Sequence, residues 1–239
     1  MKLIKQILIF FITIFFKIFF LVFGEPKISS RLRSVVNLYK GNSFSSLFKI
    51  IRVWDAPFEE IEKAVPENGK IVDLGCGDGI LGNYLALSSK KRSVVGIEFN
   101  KKRISEANKG IVNTKFVYGD ILKSNFTKAD AILLIHVLHH LESYIDQEKL
   151  LTKCKERLNR GGKIIIAEII ERPLHKFLFT ALTDFLIVPI LFEGRLMNTM
   201  IHFRTLDKWK TLFKRMGFKY KYSLNHQNMP FSHAIFTLE

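Results

Sequence analysis

With 239 residues, the chain fits one α/β domain plus an extension. Its 37 Lys and Arg against 22 Asp and Glu leave a formal charge of +15, which draws acidic partners and excludes basic ones. Cys76 and Cys154 are the only cysteines, which excludes a disulfide framework and fits a reducing compartment.

Leu3 to Phe23 carries 17 apolar residues out of 21, interrupted by Lys5, Gln6, Thr13 and Lys17. A membrane span needs about 20 apolar residues, so the length suffices. On a helical wheel Lys2, Gln6, Thr13 and Lys17 form one narrow polar stripe. A helix lying at a membrane interface, its lysines reaching towards headgroups, has this pattern. So does a span in which Lys17 snorkels. A signal peptide is the third reading, with Lys2 and Lys5 as its basic start and Val22-Phe23-Gly24 as its cleavage site. The lack of disulfide signals counts against it. A buried helix of a soluble domain is disfavoured because nothing nearby covers so apolar a surface. Residues 1–24 are therefore expected to associate with a membrane.

Pro26 stops this helix. Arg31, Arg33 and Lys40 follow it, and basic residues there favour a cytoplasmic location for the remainder. Ser29 to Ser46 is mixed, whereas Phe44–Ile51 and Trp54–Ala64 read as two short amphipathic helices. Residues 25–66 thus form a helical cover, with Trp54 and Phe58 packed onto a sheet. Pro66-Glu67-Asn68-Gly69 is a turn that opens the core domain, 67–239.

Lys70 to Gly82 reads KIVDLGCGDGILG, a strand, a glycine turn and the start of a helix. That order is half of a nucleotide-binding βαβ unit. Gly77 to Gly82 also satisfies the G-x-G-x-x-G dinucleotide spacing, and Glu98 lies where a ribose acid belongs. Asp73 argues against a dinucleotide, because a carboxylate at the strand end repels a pyrophosphate in low dielectric. It suits a ligand with an ammonium, a sulfonium and no phosphate, such as S-adenosylmethionine. VVGIEFN, FVYGD, DAILLIHVLHHL and LNRGGKIIIAE then supply four further strands in order. Ala129 to Leu138 has the continuous apolarity of a central parallel strand. No Cys/His/carboxylate spacing resembles a metal site.

With VDLGCGDG as first motif and these four segments in register, the sequence resembles the class I S-adenosylmethionine-dependent methyltransferases over about Glu67 to Glu168. The resemblance implies a doubly wound, seven-stranded, mostly parallel α/β sheet with an antiparallel last strand. It implies cofactor contacts from Asp73, Gly75, Cys76, Gly77 and Gly79, from Glu98 at the ribose with Phe99 next to it, from Asp120 and Ile121 at the adenine, and from His136. Arg160 stands where the family often has proline. A cytosolic cofactor also disfavours the signal peptide. His136, at the end of the fourth strand, is either a core histidine or a pocket residue. His139 is a candidate pocket residue, and His140 reads as structural. Where the acceptor carries a proton, His136, His139 or Glu168 is the candidate base.

Asp146–Leu158 reads as a helix closed by Gly161 and Gly162, with Lys163–Ile170 as the fifth strand. Pro173 to Met200 is apolar, with Asp184 its one charge between Lys176 and Glu193, and reads as a lid or a second membrane-contacting surface. Thr205 caps a last helix that Gly217 stops. Phe218–Leu224 and His233–Leu238 form a closing hairpin around Pro230. Arg195 to Tyr222 carries eight Lys or Arg against Asp207 alone. These features point to methyl transfer onto a small or amphiphilic, lipid- or quinone-like acceptor at the cytoplasmic face of a membrane. The acceptor's tail would lie on Phe177 to Phe192 and its head at His136. An RNA methyltransferase and a non-catalytic membrane adaptor are the alternatives. Oligomeric state is not legible.

Overall fold

Apolar runs bounded by turns pair into a seven-stranded sheet in the computed structural model, which describes every residue except 1, 40, 42, 194, 195, 198–200 and 226–230. The strands are β1 Gly69–Leu74, β2 Arg92–Glu98, β3 Thr114–Tyr118, β4 Ala129–Ile135, β5 Leu158–Ile169, β6 Tyr220–Asn225 and β7 His233–Leu238. Their order is β3-β2-β1-β4-β5-β7-β6, with β1 to β5 parallel and β7 antiparallel to both neighbours. The order reverses between β1 and β4, so a crevice opens at their C-terminal ends.

Helices α1 Lys2–Phe23, α2 Ser30–Asn37, α3 Ser43–Asp55, α4 Phe58–Ala64 and α5 Ile80–Ser88 precede α6 Lys101–Ala107, α7 Tyr144–Glu156, α8 Leu174–Leu182 and α9 Leu206–Arg215. Leu150, Leu151 and Cys154 of α7 join Trp209 and Phe213 of α9 in the core on one face of the sheet. Leu32, Ile61 and Leu85 join the core on the other, from α2, α4 and α5. Covered twice, β4 buries nearly every side chain, as its unbroken apolar run requires.

Several local expectations change. Ser29 caps α2 by accepting from the Leu32 amide, so the mixed stretch contains a helix that its brevity hid. α3 runs through Trp54 and stops before Pro57. Trp54 packs against Phe19 and Phe20 of α1, with ring centroids 5.8 and 6.0 Å apart, rather than onto the sheet. α7 ends at Glu156, and Leu158 to Gly162 extend β5, which shifts register against β4 there. Only Gly161 of the two glycines has a positive φ. The turn around Pro230 lies outside the described residues, as does Arg195.

α8 continues into two π-helical stretches, Thr183–Ile187 and Pro189–Glu193. Pro189 has no amide hydrogen to give to the preceding turn, and a widened turn absorbs that loss. α1 packs on α3 and on the second π-helical stretch, where Lys5 Nζ donates to the Leu191 carbonyl.

Candidate active site

The crevice holds a cavity of about 400 Å³. Its base is the glycine turn after β1. Gly77 has φ +55°, a left-handed conformation that favours glycine, and a Cβ there would push the Arg103 guanidinium aside from 2.6 Å. Arg103 Nε donates to Asp78 at 2.9 Å, and Lys49 Nζ donates to the same carboxylate. Two cations on one anion leave a net positive charge beside the turn. Asp73 is buried at the end of β1 and faces the cavity. Burial pushes its carboxyl up to about 7, with Arg52 pulling it down and Glu98 adding to the rise. The Glu98 carboxylate accepts from the Gly77 and Asn100 amides at 3.1 and 2.9 Å, which ties the end of β2 to the turn.

His139 lines the same cavity. Its Nδ1 donates to Glu168 Oε2 at 2.5 Å, and the other Glu168 oxygen accepts from the Val137 and Leu138 amides at 3.1 and 2.8 Å. A carboxylate fixed by three donors holds the imidazole in one tautomer, with the Nε2 lone pair free for a proton. Asp184 Oδ2, from the first π-helical stretch, lies 3.6 Å from that Nε2. Burial lowers the His139 pKa, but Glu168 and then Asp184 outweigh it and hold it above the ordinary value.

A second polar corner joins α3, the end of β4 and the start of β7. Arg52 Nη1 lies 3.2 Å from Asp55 Oδ2 and 3.1 Å from His136 Nδ1. The His136 ring stacks on that of His233, with centroids 4.6 Å apart and planes 10° apart. Burial depresses both imidazoles, His136 well below its ordinary value and His233 to about 3, and raises Asp55 to about 7. His136 holds φ +55°, costly for a residue with a Cβ and typical of functional sites. Asp55, His136 and His233 bring one ligand atom each within 4.8 Å, as do His139, His140 and Asp184. In the first set Arg52 already places a cation beside Asp55 and His136. In the second, Glu168 holds His139 Nδ1 and leaves Nε2 towards Asp184.

The sequence-derived residues divide accordingly. Asp73, Gly75, Cys76, Gly77, His136 and His139 line the cavity, whereas Glu98 braces the turn from behind. Phe99 is exposed, Asp120 accepts from the Leu122 amide and pairs with Lys123, and neither is among the residues that line the cavity. Ile121 packs against the core. His140, read as structural, is exposed and lines the cavity. Arg52, Asp55 and His233 carried no sequence signal beyond their polarity. Asp184 did, as the one charge in an apolar segment. The roof is α1, through Ile12, Phe16 and Phe19, with Thr183, Ile187 and Leu191 beside it. Thr13, placed in the polar stripe, is half-buried on this inner side and bonds to the Ile9 carbonyl.

Residues 49–222 match the family described as methyltransferase domain. Eugenol O-methyltransferase of Ocimum basilicum is 27% identical over 155 residues, 62% of this chain and 40% of the relative. Demethylmenaquinone methyltransferase of Thermotoga maritima is 23% identical over 163 residues, 63% of this chain and 70% of the relative. The chain thus spans well under half of the first relative's length. Among solved structures, human N-acetylserotonin methyltransferase in complex with SAM superposes with a TM-score of 0.60 at 19% identity, covering 87% of this chain and 55% of that one.

Proposed function

Because the chain belongs to the methyltransferase domain family, we propose that it transfers a methyl group from S-adenosylmethionine to a hydroxyl of a small, apolar or amphiphilic acceptor at the cytoplasmic face of a membrane. The observation that carries this is the His139–Glu168 pair, which leaves Nε2, 3.6 Å from Asp184, as the proton-accepting atom of a cavity that the glycine turn also lines.

The turn fits the cofactor by its own chemistry. Gly75 and Gly77 line the cavity, Gly79 packs behind it on Ala107 and Phe116, and Asp73 is a buried carboxyl that a cation would stabilise. Lys49 and Arg103, gathered on Asp78, place two cations beside the turn for the cofactor's carboxylate. S-adenosylmethionine, when bound, supplies an electrophilic methyl and leaves as S-adenosylhomocysteine. The cavity's task is to hold the acceptor oxygen in line and exclude water. His139 Nε2 takes the hydroxyl proton as the C–O bond forms and the C–S bond breaks, and Glu168 stabilises the imidazolium. A roof made by α1 and the π-helical stretches admits a small molecule and not a polynucleotide, which favours this reading over an RNA substrate.

Membrane contact is supported by α1 and, by length and composition alone, by Leu174–Leu191. Leu3, Phe11, Ile18 and Leu21 of α1 point outward and are exposed, as are Leu174, Leu178 and Leu182 of α8. The basic helix contributes less than its sequence implies. α9 starts beside Glu171, which accepts from the Leu206 amide, and ends near Lys155 at the opposite end of the sheet. Lys214 therefore lies far from the cavity mouth.

Incubation with a bacterial lipid extract and methyl-labelled cofactor should place label in an organic-phase product. Label on purified RNA, and none in the lipid phase, would end the acceptor assignment. Cofactor affinity should also rise with pH up to about 7, because only the ionised Asp73 attracts the cation, and level off above it. Asp73→Asn should flatten that slope and weaken binding by about 1–3 kcal/mol. Calorimetry across pH 5.5–8 checks both, and a slope unchanged in the variant would clear Asp73 of the role.

A further inference from the structure

We infer that the polar corner formed by Arg52, Asp55 and His136 binds a second, unmethylated hydroxyl of the acceptor, so that the enzyme selects acceptors with two hydroxyl groups. This rests on reading the cavity as the acceptor site. Arg52 is a hydrogen-bond donor only, so its contact at 3.1 Å makes His136 Nδ1 an acceptor. The proton of neutral His136 then sits on Nε2, a donor that is buried with no partner among the described residues. Asp55 Oδ1 is an acceptor in the same condition. Asp55 and His136 are both more than nine-tenths buried as side chains, and both line the cavity. Asp55 Oδ2 lies 3.8 Å from His136 Nδ1, and Asp55 Oδ1 lies 3.7 Å from His233 Nε2, which also makes no hydrogen bond among the described residues, so these groups share one wall.

An unpaired buried donor and an unpaired buried acceptor at one wall call for a group that gives one hydrogen bond and takes another. Charge narrows the choice. Arg52 and Asp55 offset one another, so a carboxylate would face Asp55 and an ammonium would face Arg52. A carbonyl can satisfy His136 Nε2 but leaves Asp55 Oδ1 bare. A hydroxyl satisfies both. The His136 and His139 rings are 6.4 Å apart, close enough for one small acceptor to touch both. One hydroxyl would thus lose its proton at His139 while the other is held at Asp55 and His136, which fixes the oxygen that is methylated.

The test uses 4-octylphenol against octyl-substituted catechol, resorcinol and hydroquinone, with labelled cofactor for kcat/KM and calorimetry in the presence of S-adenosylhomocysteine for Kd. At least one dihydroxy isomer should bind and react tenfold or more better than the monohydroxy compound, and give a single monomethyl product. Asp55→Ala should bring that ratio close to one. His136→Asn, which tolerates the positive φ, should lower it as well and serves if the Asp55 variant does not fold. Transfer to 4-octylphenol with no gain from any second hydroxyl would overturn this inference and leave the proposed function standing. A gain that survives both substitutions would overturn it too. Failure of every phenol to bind or react would sink the hydroxyl-acceptor reading and this inference together.

Discussion

Replacing His139 by Ala should lower kcat by about 10²–10⁴-fold, the usual worth of a positioned general base, while cofactor affinity stays near that of the native protein. The geometry gives this residue the largest single effect on turnover. Its Nδ1 is held by Glu168 at 2.5 Å, so Nε2 is the atom left to accept a proton. The rate should rise with pH, because only neutral His139 is a base. The rise should be centred above the ordinary histidine value, since the neighbouring carboxylates stabilise the imidazolium. Glu168→Gln removes much of that support and should move the limb to lower pH while also reducing kcat. Stopped-time assays over pH 5–9 with labelled cofactor measure both quantities. A His139→Ala enzyme retaining half its turnover would show that the acceptor carries no proton to remove. The nucleophile would then be something other than a hydroxyl.

The sequence carried the scaffold of this site well and its acceptor half poorly. The run from Lys70 to Gly82 encodes strand, turn and helix within thirteen consecutive residues, so local pattern suffices to place Asp73 and the glycines. The later strands follow in register, and Thr205 and Gly217 bound α9 through backbone chemistry visible in single residues. The acceptor side is assembled differently. His139 meets Glu168 across 29 positions of chain, and Arg52 meets His136 across 84. No periodicity links such pairs, because parallel strands joined by helices bring distant strand ends together. Asp120 was plain in the motif, and its carboxylate accepts from the Leu122 amide. In α1 the helical wheel found the polar residues but not which side the domain would cover. That choice belongs to α3 and the π-helical stretch, elements the wheel does not contain.

That division of α1 into two faces leads to the second large effect. Its inner face, through Ile12, Phe16 and Phe19, roofs the cavity, so the helix cannot enter a bilayer whole without uncovering the site. Its outer face has no protein over it among the described residues, with Phe11, Ile18 and Leu21 exposed by 63, 57 and 86%. No acid occurs before Glu25, whereas Lys17 lies exposed on the helix and Lys27 and Arg31 follow it. An apolar face with basic neighbours matches an anionic bilayer surface. The triple variant Phe11→Glu, Ile18→Glu, Leu21→Glu removes side chains worth about 1.5–3 kcal/mol each when fully inserted, and adds three charges repelled by about 1 kcal/mol each. Together these come to about 7–12 kcal/mol, so affinity for vesicles containing phosphatidylglycerol should fall by more than about 10⁵-fold, to no detectable co-sedimentation. The inner-face variant Phe16→Ala should keep vesicle binding and instead raise KM for the acceptor. An alkaline carbonate wash should release the native protein, as it does a helix lying on the surface. If the triple variant still binds vesicles but changes from dimer to monomer, the outer face is a contact between two copies of this chain, and the membrane assignment falls.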